Sequence, residues 1–519
     1  MRVTDLRWLP GVVAALALLL AACSGPRTAA PAAPENTVVS IDGMQAEIET
    51  SKLDLSALSF FQPPTTSYCD AGQNVAYAQV LVPLLAIQDR KLVPYVDVFW
   101  MPRNWNHKLV LYAHGYLDPL DPNWLQSFLG QAEGTAPGSE QLAATRDRVL
   151  CQHYAIGLSS YSSPGYAVKE GIIDTHLLNA VFKFVFWRTP DRTYVMGSSL
   201  GGLITVALAE QFPNRYDGAL PTCGPVGGSL AEFDYIGNVR LLFDTAFGNT
   251  VLSGSLTDWQ RDDDWMTEVE AAIQSDALTN GGLTFQRLMN TGVTYAGVPY
   301  GPLPLLQTLT TYAPMLEPYY ANDLGGQANQ LIAVNALLHA LRYHVVGAGD
   351  VIDRGDGSPF SNAGDSYSGL APTLPSTFYV DPQATYTPDG SAVDYYGRFY
   401  QPSGDLHVPT LSLHNYVDPD VPMAHEYLYQ AFVDAALGPD AGSMLRSYLV
   451  MGYMPDDLLQ MLGLPVDPDI ESRAPLPYGH CNFRPTDIVA GLVALDHRAT
   501  YGDWPTISNA DFRQLPPLP

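Results

Sequence analysis

The sequence predicts an α/β fold, a mostly parallel sheet with helices on both faces and a large inserted segment, and three observations carry that expectation. Apolar, β-prone runs alternate with helix-length stretches in two separate parts of the chain, 75–224 and 406–500. Such alternation is how a parallel sheet with covering helices is written in sequence. Between the two parts, from Pro225 to Asp405, the rhythm stops. The third observation is the stretch Tyr194-Val195-Met196-Gly197-Ser198-Ser199-Leu200-Gly201-Gly202. There an apolar strand passes through one tight turn into a helix whose Leu200, Leu203, Ile204, Ala207 and Leu208 share a face. Ser199 sits at the turn, and Gly197 and Gly201 flank it where a side chain would collide as the strand reverses. A G-x-S-x-G pentapeptide means little alone in a chain with 44 glycines. The strand before it and the helix after it give it weight.

The 519 residues are 47% hydrophobic, enough for a sizeable core, and carry a net charge of −27. Spread without long acidic runs, that charge excludes nucleic acid and anionic membrane surfaces as partners and reads as a solvated exterior. At the N-terminus Arg2 and Arg7 precede an apolar run that ends in Leu20-Ala21-Ala22-Cys23. This resembles a bacterial lipoprotein signal with its lipobox, the alternative being an ordinary secretory signal. The run is too short to span a bilayer, so the resemblance implies removal of residues 1–22 and lipidation of Cys23. Residues 23–36, rich in Pro and Ala, then read as a tether. The expected location is the bacterial cell envelope, lipid-anchored and facing outside the cytoplasm, with leaflet and oligomeric state left open. Export leaves Cys69, Cys151, Cys223 and Cys481, an even number with three pairings and no C-x-x-C spacing that would suggest zinc.

Taken in order, strand-like runs occur at 75–82, 95–100 and 108–113, and the third ends in Tyr112-Ala113-His114-Gly115-Tyr116. A strand at 155–159, a helix at 167–187, the Ser199 turn with its helix and a buried strand at 217–220 follow. Segment 225–405 holds amphipathic helical runs at 265–277 and 327–343, and reads as a cap over the site, the alternative being a separate module. The aromatic cluster at 378–400 reads as packing within that cap, the alternative being the lining of a binding cleft. Asp350, Asp353, Asp356 and Gly357 look superficially like a calcium loop, but the spacing is not that of an EF-hand, and no metal is expected. Strand, helix and strand resume at 408–414, 422–437 and 445–451. A second interruption covers 455–477, and a helix at 487–497 closes the fold.

With these motifs the chain resembles the α/β-hydrolase superfamily, whose nucleophile, acid and base follow in that order on loops after strands. The resemblance covers 75–224 and 406–500, not the insertion, and makes the Ser199 turn the nucleophile elbow. His414-Asn415-Tyr416-Val417-Asp418-Pro419-Asp420-Val421-Pro422 is similar to the family's H-G-x-x-D-x-x-V-P segment, which implies Asp418 as the acid, with Asp420 as the fallback. Asn415 replaces the usual glycine and tolerates left-handed backbone angles. Tyr478-Gly479-His480-Cys481 resembles the G-H segment of the base, implying His480. The oxyanion hole would be the backbone N–H groups of Tyr116 and Leu200. His114, His153, His176, His414 and His497 read as ordinary structural histidines.

A serine hydroxyl needs a base, and the base a carboxylate to hold its tautomer. The resemblance thus implies a serine carboxyl-ester hydrolase of the lipase and polyester-hydrolase branch, acting through an acyl-enzyme on bulky or oligomeric esters without a cofactor. A serine peptidase or aminopeptidase of the same fold is the alternative, and a non-catalytic binding protein a further one. His480 would have to be neutral to work, placing the acid limb of activity near roughly pH 6–7. Cys223 follows the strand after the elbow helix and Cys481 follows His480, so both should lie at the active-site edge. The expected bridges are therefore Cys223 to Cys481 and Cys69 to Cys151.

Overall fold

In the computed structural model of the chain the described residues are 37–54, 69, 75–88, 91–136, 139–295, 298–300, 325–369, 375–461, 463, 465–467, 469–473, 475–507 and 512–516. The expected leader 1–22, Cys23 and the tether 23–36 lie outside them. Among the described residues no helix is long and apolar enough to cross a membrane.

A hairpin of β1 (Thr37–Ile41) and β2 (Met44–Ile48) pairs with β3 (Tyr77–Gln88), and β3 pairs along its length with β4 (Lys91–Pro102). Next in the chain come β5 (Lys108–Ala113), β6 (Ala155–Ser159), β7 (Arg192–Ser198) and β8 (Gly218–Thr222). The insertion contributes a separate antiparallel sheet of β9 (Thr291–Tyr295), β10 (Val298–Tyr300) and β11 (Ser366–Gly369). After it follow β12 (Thr410–Asn415), β13 (Leu445–Val450), the short pair β14 (Gly452–Tyr453) and β15 (Pro475–Leu476), and β16 (Phe512–Gln514). The main sheet has eleven strands in the order β1-β2-β3-β4-β6-β5-β7-β8-β12-β13-β16. The six from β6 to β13 run parallel, and antiparallel strands flank them on both sides. Every residue of β6, β8 and β12 is buried, as expected of central parallel strands covered on two faces. This is an α/β-hydrolase fold by its own topology, with the Ser199 turn at the carboxyl end of the central strand β7.

The elbow helix Leu200–Gln211 departs from the one-sided pattern read in sequence. Leu203, Ile204, Val206, Ala207, Leu208 and Ala209 are all fully buried, because the helix lies between the sheet and the helix Val168–Phe186. A helix apolar all round is one with no face left for water. On the opposite face, Leu492 and Leu495 of the helix Pro485–Tyr501 pack with Val149 and Leu150 of the helix Glu140–Cys151. Three strands of the main sheet were not foreseen. The hairpin β1–β2 turns at Asp42-Gly43, both with positive φ, the dipeptide that suits a two-residue hairpin turn. The three-residue β16 adds an edge strand after the helix that was expected to close the fold, and is too short to signal itself.

Between β8 and β12 none of the described elements joins the main sheet. Val239 and Leu242 of the helix Ser229–Phe247, and Leu337 and Leu341 of the helix Gly325–Arg342, form an apolar cluster. That cluster also takes in Val417, Leu428 and Tyr478, which belong to segments after β12. The insertion therefore packs on the segments that carry Asp418 and His480.

Candidate active site

Ser199 has φ 58° and ψ −127°, a conformation that costs a non-glycine residue on the order of 1–3 kcal/mol and persists only when its surroundings impose it. They do. A Cβ on Gly201 would fall 2.0 Å from the Ala113 carbonyl oxygen, and one on Gly197 2.3 Å from the Gly201 oxygen. The Ser199 N–H donates to the Thr222 carbonyl at 3.0 Å, fixing the turn to β8. Ser198 meets the Tyr112 hydroxyl at 3.0 Å and that of Thr222 at 2.7 Å.

The acid and base loops are joined before their side chains meet. Val417 N–H donates to the Pro477 carbonyl at 2.8 Å and Gly479 N–H to the Val417 carbonyl at 2.9 Å, a short parallel bridge between the two loops. Asp418 follows on one strand of this bridge and His480 on the other. His480 Nδ1 lies 2.8 Å from Asp418 Oδ2 and 3.0 Å from Oδ1, and Nε2 lies 2.8 Å from Ser199 Oγ. With Nδ1–H donating its hydrogen bond to the carboxylate, Nε2 is left to accept the serine proton. Asp418 Oδ1 also accepts from the N–H groups of Asp420 and Val421, at 3.0 and 2.9 Å.

Several residues that carry no chemistry hold this arrangement. Asn415 is not left-handed, as the comparison with a glycine had suggested. It ends β12 in extended conformation, fully buried, and its Oδ1 accepts from Asn482 N–H at 2.9 Å. The side-chain amide of Gln141 donates to the carbonyls of Cys481 and Phe483 at 2.7 and 2.8 Å. Cys223 and Cys481 are bonded, Cα atoms 5.2 Å apart, and tie the end of β8 to the base loop. Cys69 and Cys151 form the other bridge. Cys223, His480 and Cys481 also form a described group with closely placed metal-ligand atoms, but both sulfurs are engaged in the disulfide.

Asp420, the fallback acid, is turned to a different partner. Its Oδ1 lies 3.1 Å from Nδ1 of His339, whose Nε2 is 2.9 Å from Asp457. One turn earlier, the amide of Asn335 reaches Asp457 at 2.9 Å and its carbonyl oxygen accepts from the Tyr478 hydroxyl. The helix Gly325–Arg342 thus clamps both loops with two side chains four residues apart. Sequence reading missed His339 and Asn335, because nothing in their local spacing marks them.

Burial alone would depress the pKa of His480, but the charges of Asp418 and Asp420 outweigh it and lift it to about 9. This lies above the limb expected near roughly pH 6–7, which is the ordinary range of a histidine. His339 is lifted to about 10, the charges of Asp420 and Asp457 overcoming burial. It therefore stands as an imidazolium that offsets the charge of Asp420.

Ser199, Tyr116 and Leu200 line one largely apolar cavity. Most of its other walls come from the insertion, with Phe233, Ile236, Leu256, Tyr343, Val351 and Phe360 among them, and Tyr166 and Val421 complete them. Tyr343, His344 and Gly347 belong to a single π-helical turn after the helix Gly325–Arg342, a distortion that recurs at functional sites. Among the described residues the N–H groups of Tyr116 and Leu200 enter no backbone hydrogen bond. His114 stacks on Tyr161 with centroids 3.8 Å apart and receives the Tyr161 hydroxyl at its carbonyl, so it supports the loop that carries Tyr116. Asp350, of the calcium-like cluster, takes two bonds from Arg354 and one from the Tyr166 N–H.

No protein-family model matches the sequence, and no curated protein sequence does. Solved structures similar to the chain include feruloyl esterase B from Aspergillus oryzae, at 13% identity over 87% of this chain and 90% of that one, with a TM-score of 0.45. The closed state of lipase A from Candida antarctica matches at 13% identity over 83% and 79%, with a TM-score of 0.37. The rice cell wall degrading esterase LipA from Xanthomonas oryzae matches at 13% identity over 76% and 86%, with a TM-score of 0.34.

Proposed function

We propose that the chain is an exported serine carboxyl-ester hydrolase, with Ser199 as nucleophile, His480 as general base and Asp418 as the acid that orients it. The observation that carries this reading is the relay of two 2.8 Å contacts, Asp418 to His480 to Ser199, ending on a strained serine at the wall of a largely apolar cavity. His480 Nε2 takes the Ser199 proton as Oγ attacks the ester carbonyl. The N–H groups of Tyr116 and Leu200 receive the developing oxyanion. As the tetrahedral intermediate collapses, the C–O bond to the alcohol breaks and His480 passes its proton to the leaving oxygen. Water, deprotonated by His480, then attacks the acyl-enzyme and frees Ser199. Asp418 stabilises the imidazolium throughout without taking its proton.

The apolar walls beside Ser199, Phe233, Ile236 and Phe360 among them, support an ester larger than an acetate, since remote contacts can hold a bulky substrate in line with Ser199 and raise rate as well as affinity. In this reading residues 225–405 are the cap that shapes the pocket, and Cys23 carries the lipid that holds the enzyme at the envelope. The test is a panel of p-nitrophenyl acetate, butanoate and octanoate, a soluble polyester oligomer and an aminoacyl anilide, with wild type and Ser199→Ala. Turnover of the larger esters by wild type alone is expected. A preference for the anilide would replace the esterase by a peptidase. Incorporation of labelled palmitate that Cys23→Ser removes is expected for the anchor.

A further inference from the structure

Glu232 lies in the first turn of the helix Ser229–Phe247, lines the same cavity as Ser199 and is only 4% exposed. The mechanism above gives it nothing to do. His425 Nε2 lies 2.8 Å from Glu232 Oε2, yet among the described residues Oε2 takes no hydrogen bond. The Gly227 N–H donates to His425 Nδ1 at 3.1 Å, so in the neutral ring the hydrogen sits on Nε2, facing Oε2. Burial, joined by the neighbouring charge of His414, pushes His425 down to about 3, so the ring supplies no positive charge. For the carboxyl itself, burial and the charges of Asp418 and Asp420 hold the pKa well above the usual carboxylate range. A protonated carboxyl beside an Nε2–H keeps its own hydrogen on the other oxygen, Oε1. Since Oε2 is turned to His425, Oε1 is the oxygen left for the cavity.

A second polar group in the cavity also lacks a partner. The Tyr116 hydroxyl is buried with no hydrogen bond and stands 3.1 Å from where a Cβ on Gly347 would be. Buried donors without acceptors cost about 1–3 kcal/mol each unless something supplies the missing bond. Phe233, Ile236 and Phe360, which share the wall, offer none.

We propose that Glu232 donates a hydrogen bond to an oxygen of the substrate other than those of the scissile ester, so that the preferred substrates are esters carrying a further ether, hydroxyl or ester oxygen. This rests on the ester-hydrolase reading and narrows its substrate class from bulky esters to oxygenated ones, hydroxyacyl and polyester chains included. The acid acts on binding: it discriminates by leaving its own hydrogen unpaired when the oxygen is missing.

The experiment uses the whole exported chain and pairs of esters that differ only by CH2 against O. On the acyl side these are p-nitrophenyl pentanoate and 3-methoxypropanoate; on the alcohol side, butyl and 2-methoxyethyl butanoate. In at least one pair wild type should favour the oxygenated member by about 5-fold in kcat/KM beyond the chemical reactivity difference measured in buffer, chiefly through KM. Glu232→Gln, which still donates through N–H, should keep most of that preference, and Glu232→Leu should lose it. Fluorophosphonate labelling of Ser199 in each variant shows that the site is folded. Should Glu232→Leu fail to label, the Gln variant and the wild-type preference decide. Equal rates within both pairs, or a preference that survives in Glu232→Leu, overturns the inference while leaving the esterase intact. A p-nitrophenyl 4-aminobutanoate that outruns both acyl esters in wild type and not in Glu232→Gln also overturns it, by making Glu232 an anionic site for an ammonium group. If wild type turns over none of these esters, the esterase reading itself falls, and the inference with it.

Discussion

The turn that presents Ser199 and the junction that presents His480 are built on opposite plans. At the turn every constraint is local. Gly197 and Gly201 admit the backbone, β7 and the elbow helix fix the direction of entry and exit, and full burial of that helix leaves it nowhere to shift. At the junction nothing is local. Asp418 and His480 are 62 residues apart, and they meet because of a backbone bridge, a disulfide to β8, the Asn415 and Gln141 side chains and a two-residue clamp from the insertion. The first plan makes geometry all-or-none, and the second makes it graded. A side chain added at the turn has no space to relax into, whereas each tie at the junction is one of several.

The sharpest test of the contrast is at the turn. Ser199→Ala should lower kcat by about 10⁵–10⁶-fold and abolish fluorophosphonate labelling, with the melting temperature little changed because alanine keeps the same backbone conformation. Gly201→Ala should do comparable damage by another route, because its Cβ would sit 2.0 Å from a carbonyl oxygen. Here the thermal transition should fall together with activity. Labelling of another serine in the Ser199 variant would show that the nucleophile lies elsewhere.

One step down are the two carboxylates of the acid loop. Asp418→Asn should keep the fold and cost about 10⁴-fold in kcat, because the amide cannot hold the tautomer that His480 needs. Asp420→Asn should cost far less, since Asp420 faces His339 and not the base. Greater damage from the Asp420 change would reverse the two roles.

The disulfides separate stability from positioning. Each closes a long segment, 258 residues for Cys223–Cys481 and 82 for Cys69–Cys151, so losing either should destabilise by about 2–5 kcal/mol. Only the first anchors the loop of His480. Cys223→Ala with Cys481→Ala should therefore lower kcat at temperatures where the enzyme remains folded, and the Cys69 and Cys151 pair of changes should not. Equal kcat values for the two double variants would show that the backbone bridge alone positions the base.

The same division between local and distant explains what could be read from the sequence. The turn was legible because all its requirements lie within a dozen residues. Ser199, Asp418 and His480 were picked out from short motifs, and His480 stands within hydrogen-bonding distance of each of the other two. Asn415 shows the limit. A substitution in a motif read as a backbone matter turns out to be a side-chain tie to Asn482, a partner 67 residues away. His339, Asn335 and Glu232 sit on helices whose spacing looks like any amphipathic run, and their roles come from what the fold brings against them. The hairpin at 37–48 did carry a signal in Asp42-Gly43, and the three-residue β16 carried none.

The smallest expected effect concerns pH and sharpens the comparison most, because only a distributed junction allows it. The base His480 is opposed by burial and favoured by Asp418 and Asp420, which together bring it to about 9. Since the neutral imidazole does the work, kcat/KM of wild type should rise with pH along a limb well above the ordinary range of histidine. His339 works against that limb, as a cation behind Asp420. Replacing it by Gln leaves Asp420 uncompensated, favours the charged form of His480 and moves the limb to still higher pH. Replacing Asp420 by Asn removes the second carboxylate, and the limb moves down. The two variants disturb the same contact, so a purely structural role would shift both profiles alike or lower both without displacement. Opposite displacements in kcat/KM against pH, at unchanged substrate saturation, are the expected outcome. Displacement in one direction for both would mean that the clamp holds the loops without tuning the base.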